Sequence, residues 1–240
     1  MKLVRVTTGV GVETREGVVA IPWIMGIGMN YAAHAKEQGK GVPERPVVFA
    51  KNPYAAGLDG EDIVIPKVCQ DRPQVDFEAE LGVVIGRRPG GGLVRDVSKD
   101  EALACVWGYV AANDVSARWW QKEGSGGQFC RGKGFDTFCP IGPRVVPGSE
   151  VGNPNALRVV SRVNGVTMQD ASTSDMIFDV ATLVSELSRG TTLLPGTLMV
   201  TGTPSGVGMS RTPPAFLKDG DVVEVEVEKV GRIVNRVRAG

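Results

Sequence analysis

Three acidic residues alternate with apolar ones in the segment VDFEAELG. A β-strand turns successive side chains to opposite faces, so Asp76, Glu78 and Glu80 would share one face. The Cα atoms of residues two apart lie about 7 Å from each other. Carboxylates this close repel unless water or a cation separates them, and an all-oxygen site suits a hard divalent cation such as Mg²⁺ or Mn²⁺. The alternative is an acidic strand face open to water, as the EVEVE run near the C-terminus indicates.

A further carboxylate, Asp114, ends the almost uniformly apolar run VWGYVAAND. This run predicts a buried strand, in which an unpaired charge is costly. Asp114 is therefore a candidate third ligand of the same cation. Arg118, one helical turn later, is the alternative partner, and an Asp114–Arg118 pair would be structural.

The only histidine of the chain, His34, lies in the segment MNYAAHAKE, with Glu37 three residues later. Residues at this spacing share a helix face, so the carboxylate can fix the imidazole tautomer and increase its basicity. Such a pair is a candidate general base. The alternative is an exposed helical pair that takes no part in chemistry.

Two glycine-rich segments offer groups that bind anions. Lys133 stands between glycines in RGKGFDTF, and Thr203 follows a predicted strand in VTGTPSGVG. Ordinary turns are the alternative for both. The second segment lacks the GK[ST] ending of a P-loop, and GIGMNYA lacks the third glycine of a dinucleotide-binding fingerprint.

Helices are few in the predicted structure. The segment NYAAHAKEQG predicts a short helix with Asn30 as N-cap. The segment SKDEALACV predicts a second, with a capping box formed by Ser98 and Glu101. The most amphipathic helix is predicted in SDMIFDVATLVSELSRG, closed by Gly190.

Short alternating segments account for most of the remaining chain. The Asn164-Gly165 pair predicts a hairpin turn, and DVVEVEVEKVGRIVNRVRAG predicts two strands around Gly231. Because no regular βαβ series occurs, these patterns predict a β-rich α+β fold.

Composition excludes several classes of partner. The chain of 240 residues carries 27 basic and 27 acidic residues, so no bulk charge attracts nucleic acid or an anionic membrane. Apolar runs are too short to span a membrane, and the segment MKLVRVTTGV lacks a signal-peptide core. The four cysteines form no CxxC pair, which indicates reduced thiols. We therefore expect a cytoplasmic protein.

The chain resembles the fumarylacetoacetate hydrolase family over nearly its whole length. The resemblance rests on the ordered blocks GMNYAAHAKE, VDFEAELGVVIG, GYVAANDVSAR, GKGFDTFCPIGP, RVNGVTMQ, TGTPSGVG and PPAFLKDGDVVEVEVEKVG. It implies a mixed β-sandwich roll, with residues 1–25 as a short N-terminal β segment and residues 26–240 as the catalytic domain. It also implies a homodimer.

The same resemblance implies the roles of individual residues. It implies one Mg²⁺, or Mn²⁺ or Ca²⁺, with Glu78, Glu80 and Asp114 as metal ligands. It implies His34 and Glu37 as a water-activating dyad on a lid, with Lys133 next to the metal. The residues that it places near the substrate are Arg118, Gln121, Gly202 and Thr203. One position departs from the family pattern SARD, because Trp119 stands where the aspartate is usual.

The implied reaction is hydrolysis of a C–C bond in a 2,4-dioxo acid or a related 2-oxo dicarboxylate. The cation would stabilise the enolate that forms when the bond breaks. Two alternatives share that enolate: an oxaloacetate decarboxylase or tautomerase, and an isomerase or decarboxylase of the 2-hydroxyhepta-2,4-diene-1,7-dioate type. A third alternative, of another class, is an inactive homodimer that binds a dicarboxylate.

Overall fold

Seventeen strands and six short α-helices form the regular structure of residues 1–240 in a computed structural model. The strands are β1 Lys2–Val6, β2 Gly9–Thr14, β3 Gly17–Ala20, β4 Ile24–Gly28, β5 Val47–Lys51, β6 Ala56–Leu58, β7 Ile63–Ile65, β8 Val75–Asp76, β9 Ala79–Ile85, β10 Val106–Asn113, β11 Ser116–Ala117, β12 Cys139–Val146, β13 Arg158–Val163, β14 Val166–Ser172, β15 Leu198–Val200, β16 Val222–Val227 and β17 Gly231–Ala239. The helices are α1 Ala32–Glu37, α2 Lys99–Ala102, α3 Arg118–Gln121, α4 Phe129–Lys133, α5 Gly148–Val151 and α6 Val180–Ser188.

The strands form four sheets. The largest has seven strands in the order β5-β4-β15-β9-β10-β12-β6, and the next has five in the order β14-β13-β16-β17-β7. Strands β1 to β3 form a sheet of their own, and β8 pairs with β11. Both large sheets are mixed, because β15 runs parallel to β4, β12 to β6 and β17 to β7.

The central strand β9 is buried on both faces, which explains why all of its residues except Glu80 are apolar or glycine. Leu81 and Val83 belong to the core between the seven-stranded and five-stranded sheets, which also contains Val225. Val84 faces the opposite side, where it joins a core with Val12 of the three-stranded sheet. These layers confirm the predicted β-rich sandwich roll with a small N-terminal β segment. The division of the chain at residue 25 stays a prediction.

Local signals in the sequence predicted several elements correctly. Ser98 and Glu101 form the capping box at the start of α2. Asn164 and Gly165 both have positive φ values, of 51° and 79°, and join β13 to β14. Gly190 follows α6 with a φ of 67°, a left-handed conformation that suits glycine.

The prediction of Asn30 as the N-cap of the first helix is wrong. Tyr31 is the N-cap of α1, and no side chain caps this end. The amide of Asn30 instead donates to the carbonyl oxygens of Phe178 and Thr201, at 3.0 and 2.7 Å, and accepts from the N–H of Phe178. Asn30 therefore fixes the chain between β4 and α1 to two distant segments.

All four cysteines are free thiols, and only Cys130 is exposed. None of the helices is long and apolar enough to cross a lipid bilayer.

The glycines of GIGMNYA make room for aromatic rings. A Cβ atom on Gly26 would lie 2.1 Å from the ring of Phe49, and one on Gly28 would lie 3.2 Å from Phe129. We therefore expect Gly26→Ala to lower the free energy of unfolding by about 1–3 kcal/mol, since the ring must shift within a packed core. Urea denaturation measures this loss. Gly41→Ala is the control, because a Cβ there meets no atom within 4 Å, and a loss no larger than the control's would contradict the packing argument.

Candidate functional site

Three carboxylates converge where β9 begins and β10 ends. Glu80 lies in β9, directly opposite Ala112 of the antiparallel strand β10. Glu78 precedes β9 and Asp114 follows β10, so the strand pairing places both beside Glu80. One oxygen from each of the three carboxylates lies within 4.8 Å of the others.

Backbone contacts hold this corner in place. The N–H of Asp114 donates to the carbonyl oxygen of Glu78 at 2.9 Å, and the N–H of Glu78 donates to Oδ1 of Asn113 at 3.0 Å. Glu78, Glu80 and Asp114 expose only 4%, 1% and 1% of their surface. The alternative of an acidic strand face open to water is therefore wrong for this segment.

Buried cations compensate most of the negative charge. Nζ of Lys133 donates to Oε2 of Glu78 at 2.7 Å, to Oδ2 of Asp114 at 2.6 Å and to Oγ of Ser116 at 2.7 Å. Nζ of Lys51 donates to Oδ1 of Asp114 and to the carbonyl oxygen of Phe138. Asp114 thus lies between two lysines.

Arg118 does not pair with Asp114, so the predicted Asp114–Arg118 alternative is wrong. Its guanidinium contacts Asp76 through Nε at 2.8 Å and Glu78 through Nη1 at 2.7 Å. The carboxylate of Asp76 also accepts from the backbone N–H of Gly208 at 2.7 Å. Asp76 therefore binds Arg118 and the backbone of Gly208. It does not belong to the group formed by the other three carboxylates.

The site has one carboxylate more than it has cations. The buried acids are Asp76, Glu78, Glu80 and Asp114, and the buried cations are Lys51, Arg118 and Lys133. Glu80 forms no ion pair; its Oε2 accepts only the N–H of Gly202, at 2.7 Å. Burial, together with the charges of Asp114 and Glu78, raises the pKa of Glu80 well above its usual range.

In Glu78 and Lys133, nearby opposite charges outweigh the effect of burial, so both side chains stay charged. Burial alone would raise the pKa of Glu78, but the charges of Lys133 and Arg118 outweigh it and lower this pKa far below the usual value. Burial would lower the pKa of Lys133, but Asp114 and Glu78 raise it. Lys133 therefore stays protonated and acts as a fixed positive charge, not as a base.

The residues fit a divalent cation. Glu80 lacks a positive partner, and its neighbours Glu78 and Asp114 offer further oxygens within reach of one ion. An all-oxygen set of this kind suits Mg²⁺, Mn²⁺ or Ca²⁺. A cation would neutralise the one carboxylate that the protein leaves without compensation.

His34 lies in α1 and is 3% exposed, so the alternative of an exposed helical pair is wrong. Its Nδ1 lies 3.1 Å from Oε2 of Glu37. The other oxygen of Glu37 accepts the N–H of Gly206 at 2.9 Å. Burial would raise the pKa of Glu37, but the hydrogen bonds from His34 and Gly206 outweigh it and lower the pKa.

This arrangement decides which nitrogen of His34 is basic. The ionised Glu37 only accepts hydrogen bonds, so Nδ1 carries the proton in the neutral ring. Nε2 then carries the lone pair, which accepts a hydrogen bond from the side-chain amide nitrogen of Gln38 at 2.8 Å. A proton taken up by His34 would therefore go to Nε2.

A small inner pocket lies between the acidic corner and α1. Its volume is about 20 Å³, enough for roughly one water molecule. Four predicted site residues line it together with Glu78: His34, Gln121, Lys133 and Thr203. The pocket thus brings together the candidate base, a fixed positive charge and one of the three candidate metal ligands, Glu78.

Two of the residues predicted to contact substrate hold the acidic corner in place. Arg118 is 2% exposed and donates to Oε1 of Gln121 at 3.0 Å, in addition to its two carboxylate partners. Gly202 binds Glu80, and a Cβ on it would lie 2.6 Å from Cβ of Asn30. Trp119 packs edge-to-face against Trp120, with ring centroids 5.0 Å apart. Arg118 thus keeps its partners without the aspartate that is usual at position 119.

Comparisons with known proteins agree with this architecture. Residues 23–238 match the family described as "Fumarylacetoacetate (FAA) hydrolase C-terminal". The chain belongs to the fumarylacetoacetate hydrolase family. It is 44% identical over 213 residues to the protein of Bos taurus named "Oxaloacetate tautomerase FAHD2A, mitochondrial", covering 88% of this chain. It spans only 65% of the length of that relative.

Two further members of the fumarylacetoacetate hydrolase family carry other activities in their names. The "2,4-didehydro-3-deoxy-L-rhamnonate hydrolase" of Sphingomonas sp. (strain SKA58) is 46% identical over 222 residues, which cover 91% of this chain and 75% of the relative. The crystal structure of fumarylpyruvate hydrolase from Pseudomonas aeruginosa, in complex with Mn²⁺ and pyruvate, superposes with a TM-score of 0.83 at 28% identity and covers 99% of both chains. The relatives of this chain are thus enzymes of more than one reaction class.

Three polar residues, of which Lys51 and Gln169 are buried and Gln38 is half-buried, escaped the sequence analysis of this family member. Lys51 ends the apolar strand β5, just as Asp114 follows β10, so a charge at the end of an apolar run was the available signal. Gln38 stands four residues after His34, a spacing that places it on the same helix face. Gln169 has no such signal: it lies mid-strand in β14, where its amide donates to Oγ1 of Thr203 at 2.7 Å.

Lys51 gives a direct test of the charge balance. We expect Lys51→Met to lower the free energy of unfolding by about 3–5 kcal/mol, because it leaves Asp114 with a single buried cation. Urea denaturation in the presence of a chelator measures the loss. The double variant Lys51→Met/Asp114→Asn should recover part of it, whereas Lys36→Met, at an exposed lysine of α1, should change stability by less than about 0.5 kcal/mol. Equal losses in the single and double variants would contradict the proposed pairing.

Proposed function

We propose that this protein is a divalent-metal-dependent hydrolase that cleaves a C–C bond in 2,4-dioxo acids of the acylpyruvate type. One observation carries the proposal: Glu78, a member of the buried carboxylate triad, lines the same inner pocket as His34, which is paired with Glu37. The proposed metal ligands are Glu78, Glu80 and Asp114. When bound, Mg²⁺, or alternatively Mn²⁺ or Ca²⁺, supplies positive charge to the 2-oxo and carboxylate oxygens of the substrate.

The remaining groups of the pocket have separate tasks. Nε2 of His34 takes a proton from a water molecule, whose oxygen adds to the C4 carbonyl of the substrate. The C3–C4 bond then breaks, and its electron pair goes to C3 of the departing pyruvate unit as an enolate. That enolate takes at C3 the proton that His34 accepted, which gives pyruvate and restores the neutral imidazole. The distal fragment leaves as a carboxylic acid, which loses its proton to solvent.

Three protein groups support this sequence of steps. Glu37 stabilises the imidazolium that forms when His34 accepts the proton. Lys133 offers a fixed positive charge near the oxygens on which negative charge develops. The hydroxyl of Thr203 donates to the carbonyl oxygen of Ala79 at 3.0 Å while accepting from Gln169, so its position in the pocket is fixed.

The second candidate is an oxaloacetate tautomerase or decarboxylase. The observation that favours it is the 44% identity to the bovine oxaloacetate tautomerase. Neither reaction needs an attacking water. Decarboxylation forms the enolate by loss of CO2 and requires only the acidic corner, whereas tautomerisation also requires a group that moves a proton to or from C3. An isomerase of the 2-hydroxyhepta-2,4-diene-1,7-dioate type would use the same enolate. The homodimer and the cytoplasmic location stay predictions.

A substrate panel with controlled metal tests the proposal. The chain is incubated with acetylpyruvate, fumarylpyruvate and oxaloacetate in Mg²⁺ and in excess chelator, and pyruvate and the enol form are followed by NMR. We expect pyruvate to form from the dioxo acids only with metal. Turnover unaffected by the chelator would refute the proposed requirement for a metal. Metal-dependent enol–keto exchange of oxaloacetate, without cleavage of either dioxo acid, would favour the second candidate. Metal binding with no turnover of any substrate would favour the inactive dicarboxylate-binding dimer.

A further inference from the structure

Both ring nitrogens of His34 already have a partner within the protein. Nδ1 pairs with Glu37, and Nε2 accepts the side-chain amide of Gln38 at 2.8 Å. The neutral ring has a single nitrogen lone pair, and this hydrogen bond uses it. Gln38 therefore occupies the position from which a water molecule would give its proton to His34.

The inner pocket has room for a water molecule but does not give it access to the base. The pocket holds roughly one water, and both His34 and Gln38 line it. While Gln38 binds Nε2, such a water can hydrogen-bond only to other groups of the lining, such as Glu78. It transfers no proton to His34 until the amide leaves.

Gln38 can leave Nε2 by rotation of its side chain alone. It is the C-cap residue of α1 and is half-buried. A second cavity, of about 780 Å³, lies on its outer side. The residues that line both spaces are Met29, Gln38, Gln121 and Phe129. The amide of Gln38 thus has an open space into which it can withdraw.

The remainder of the dyad stays in place when Gln38 moves. One oxygen of Glu37 accepts the N–H of Gly206 at 2.9 Å, and the other lies 3.1 Å from Nδ1 of His34. His34 itself is buried. Exchange of the Gln38 amide for water therefore frees Nε2 without displacing the base.

We propose that Gln38 masks the base, since its amide occupies Nε2 of His34, and thereby determines how fast the protein hydrolyses a dioxo acid relative to decarboxylating oxaloacetate. Hydrolysis requires Nε2 to take a proton from water, so the amide must first leave. Decarboxylation requires no base, so the amide can stay. This inference rests on the proposed function, in which His34 is the base. Gln38 is a positioning residue, because it acts through His34.

Removing the amide should accelerate hydrolysis alone. With saturating Mg²⁺, we expect Gln38→Ala to raise kcat for hydrolysis of acetylpyruvate about two- to tenfold, the factor that corresponds to one hydrogen bond. KM should stay within about twofold, because the lost hydrogen bond joins two protein groups. Pyruvate formation from oxaloacetate, measured on the same preparation, should not change. A purely structural role of Gln38 would instead lower both rates.

Gln38→Glu tests the direction of the hydrogen bond. An ionised carboxylate has nearly the shape of the amide but only accepts hydrogen bonds, so it would bind Nε2 in its protonated form and prevent it from acting as a base. We expect hydrolysis to fall at least about tenfold, with decarboxylation within a few-fold of the wild type. Gln128→Ala is the control, since Gln128 is exposed and lines neither cavity. It should leave both rates unchanged.

The possible outcomes separate this inference from the proposed function. A Mg²⁺-induced rise in the melting temperature of each variant would show that its acidic corner is intact. If the wild type cleaves acetylpyruvate with metal and Gln38→Ala does so no faster, only the inference fails. If Gln38→Ala cleaves it and the wild type does not, the proposed function fails but the masking role stands. If neither cleaves it, both fail.

Discussion

Replacing Glu80 by Gln should abolish metal-dependent turnover and yet make the metal-free protein more stable. The amide keeps the shape of the side chain and can still accept the N–H of Gly202, but it removes the one buried carboxylate without a positive partner. We expect turnover to fall roughly a thousandfold, the equivalent of about 4 kcal/mol of lost stabilisation in the transition state. The melting temperature in chelator should rise above that of the wild type.

Metal-dependent stabilisation gives the same test a second readout. With Mg²⁺ at about 100 times its dissociation constant, the wild type should gain about 2.7 kcal/mol and melt about 5–10 °C higher than in chelator. Glu80→Gln should show almost no such rise, whereas Glu13→Gln, at an exposed glutamate, should behave as the wild type. If Mg²⁺ raised the melting temperature of Glu80→Gln as much as that of the wild type, Glu80 would not be a metal ligand.

Replacing His34 by Ala should separate hydrolysis of an acylpyruvate from decarboxylation of oxaloacetate. Hydrolysis of an acylpyruvate should fall about 10²- to 10⁴-fold, because water would then lack a positioned base. Decarboxylation of oxaloacetate should change only a few-fold, because loss of CO2 gives the enolate without an attacking water or a base. Rates of both reactions are measured on the same preparation, with saturating Mg²⁺.

Two neighbouring variants refine the His34 experiment. Glu37→Gln keeps the imidazole but removes the charge that stabilises its protonated form, so its loss of hydrolysis should be smaller than that of His34→Ala. Lys36→Ala, at the exposed lysine between His34 and Glu37, should leave the rates of both reactions near those of the wild type. Hydrolysis by His34→Ala within a few-fold of the wild-type rate would show that His34 is not the base.

The acidic corner was the part of the site most accessible to sequence analysis. Glu78 and Glu80 are two residues apart, and Asp114 ends an apolar run, so short-range spacing and the cost of a buried charge sufficed to select them. Their partners were less accessible. Lys51 approaches Asp114 from β5, and Arg118 reaches past Asp114 to Asp76, because contacts between distant strands decide both pairings.

Contacts between distant segments also limit how much of the fold the sequence predicts. Capping boxes and hairpin turns depend on a few adjacent residues, and they were predicted correctly at Ser98 and Asn164. Asn30 carried an equally good capping signal, but its side chain binds Phe178 and Thr201, more than 140 residues away in sequence. The order of the seven strands in the largest sheet is likewise absent from local patterns, since β4, β15 and β9 become neighbours only in the folded chain.

His34 is the only histidine among 240 residues, and this makes the protein its own spectroscopic probe. In a chain labelled uniformly with nitrogen-15, every imidazole resonance arises from the candidate base, without any need for assignment. The chemical shifts of its two ring nitrogens report which of them carries the proton beside Glu37 and Gln38. Adding Mg²⁺, pyruvate or a dioxo dicarboxylate would therefore reveal, in a two-dimensional spectrum, when each ligand reaches the catalytic pocket.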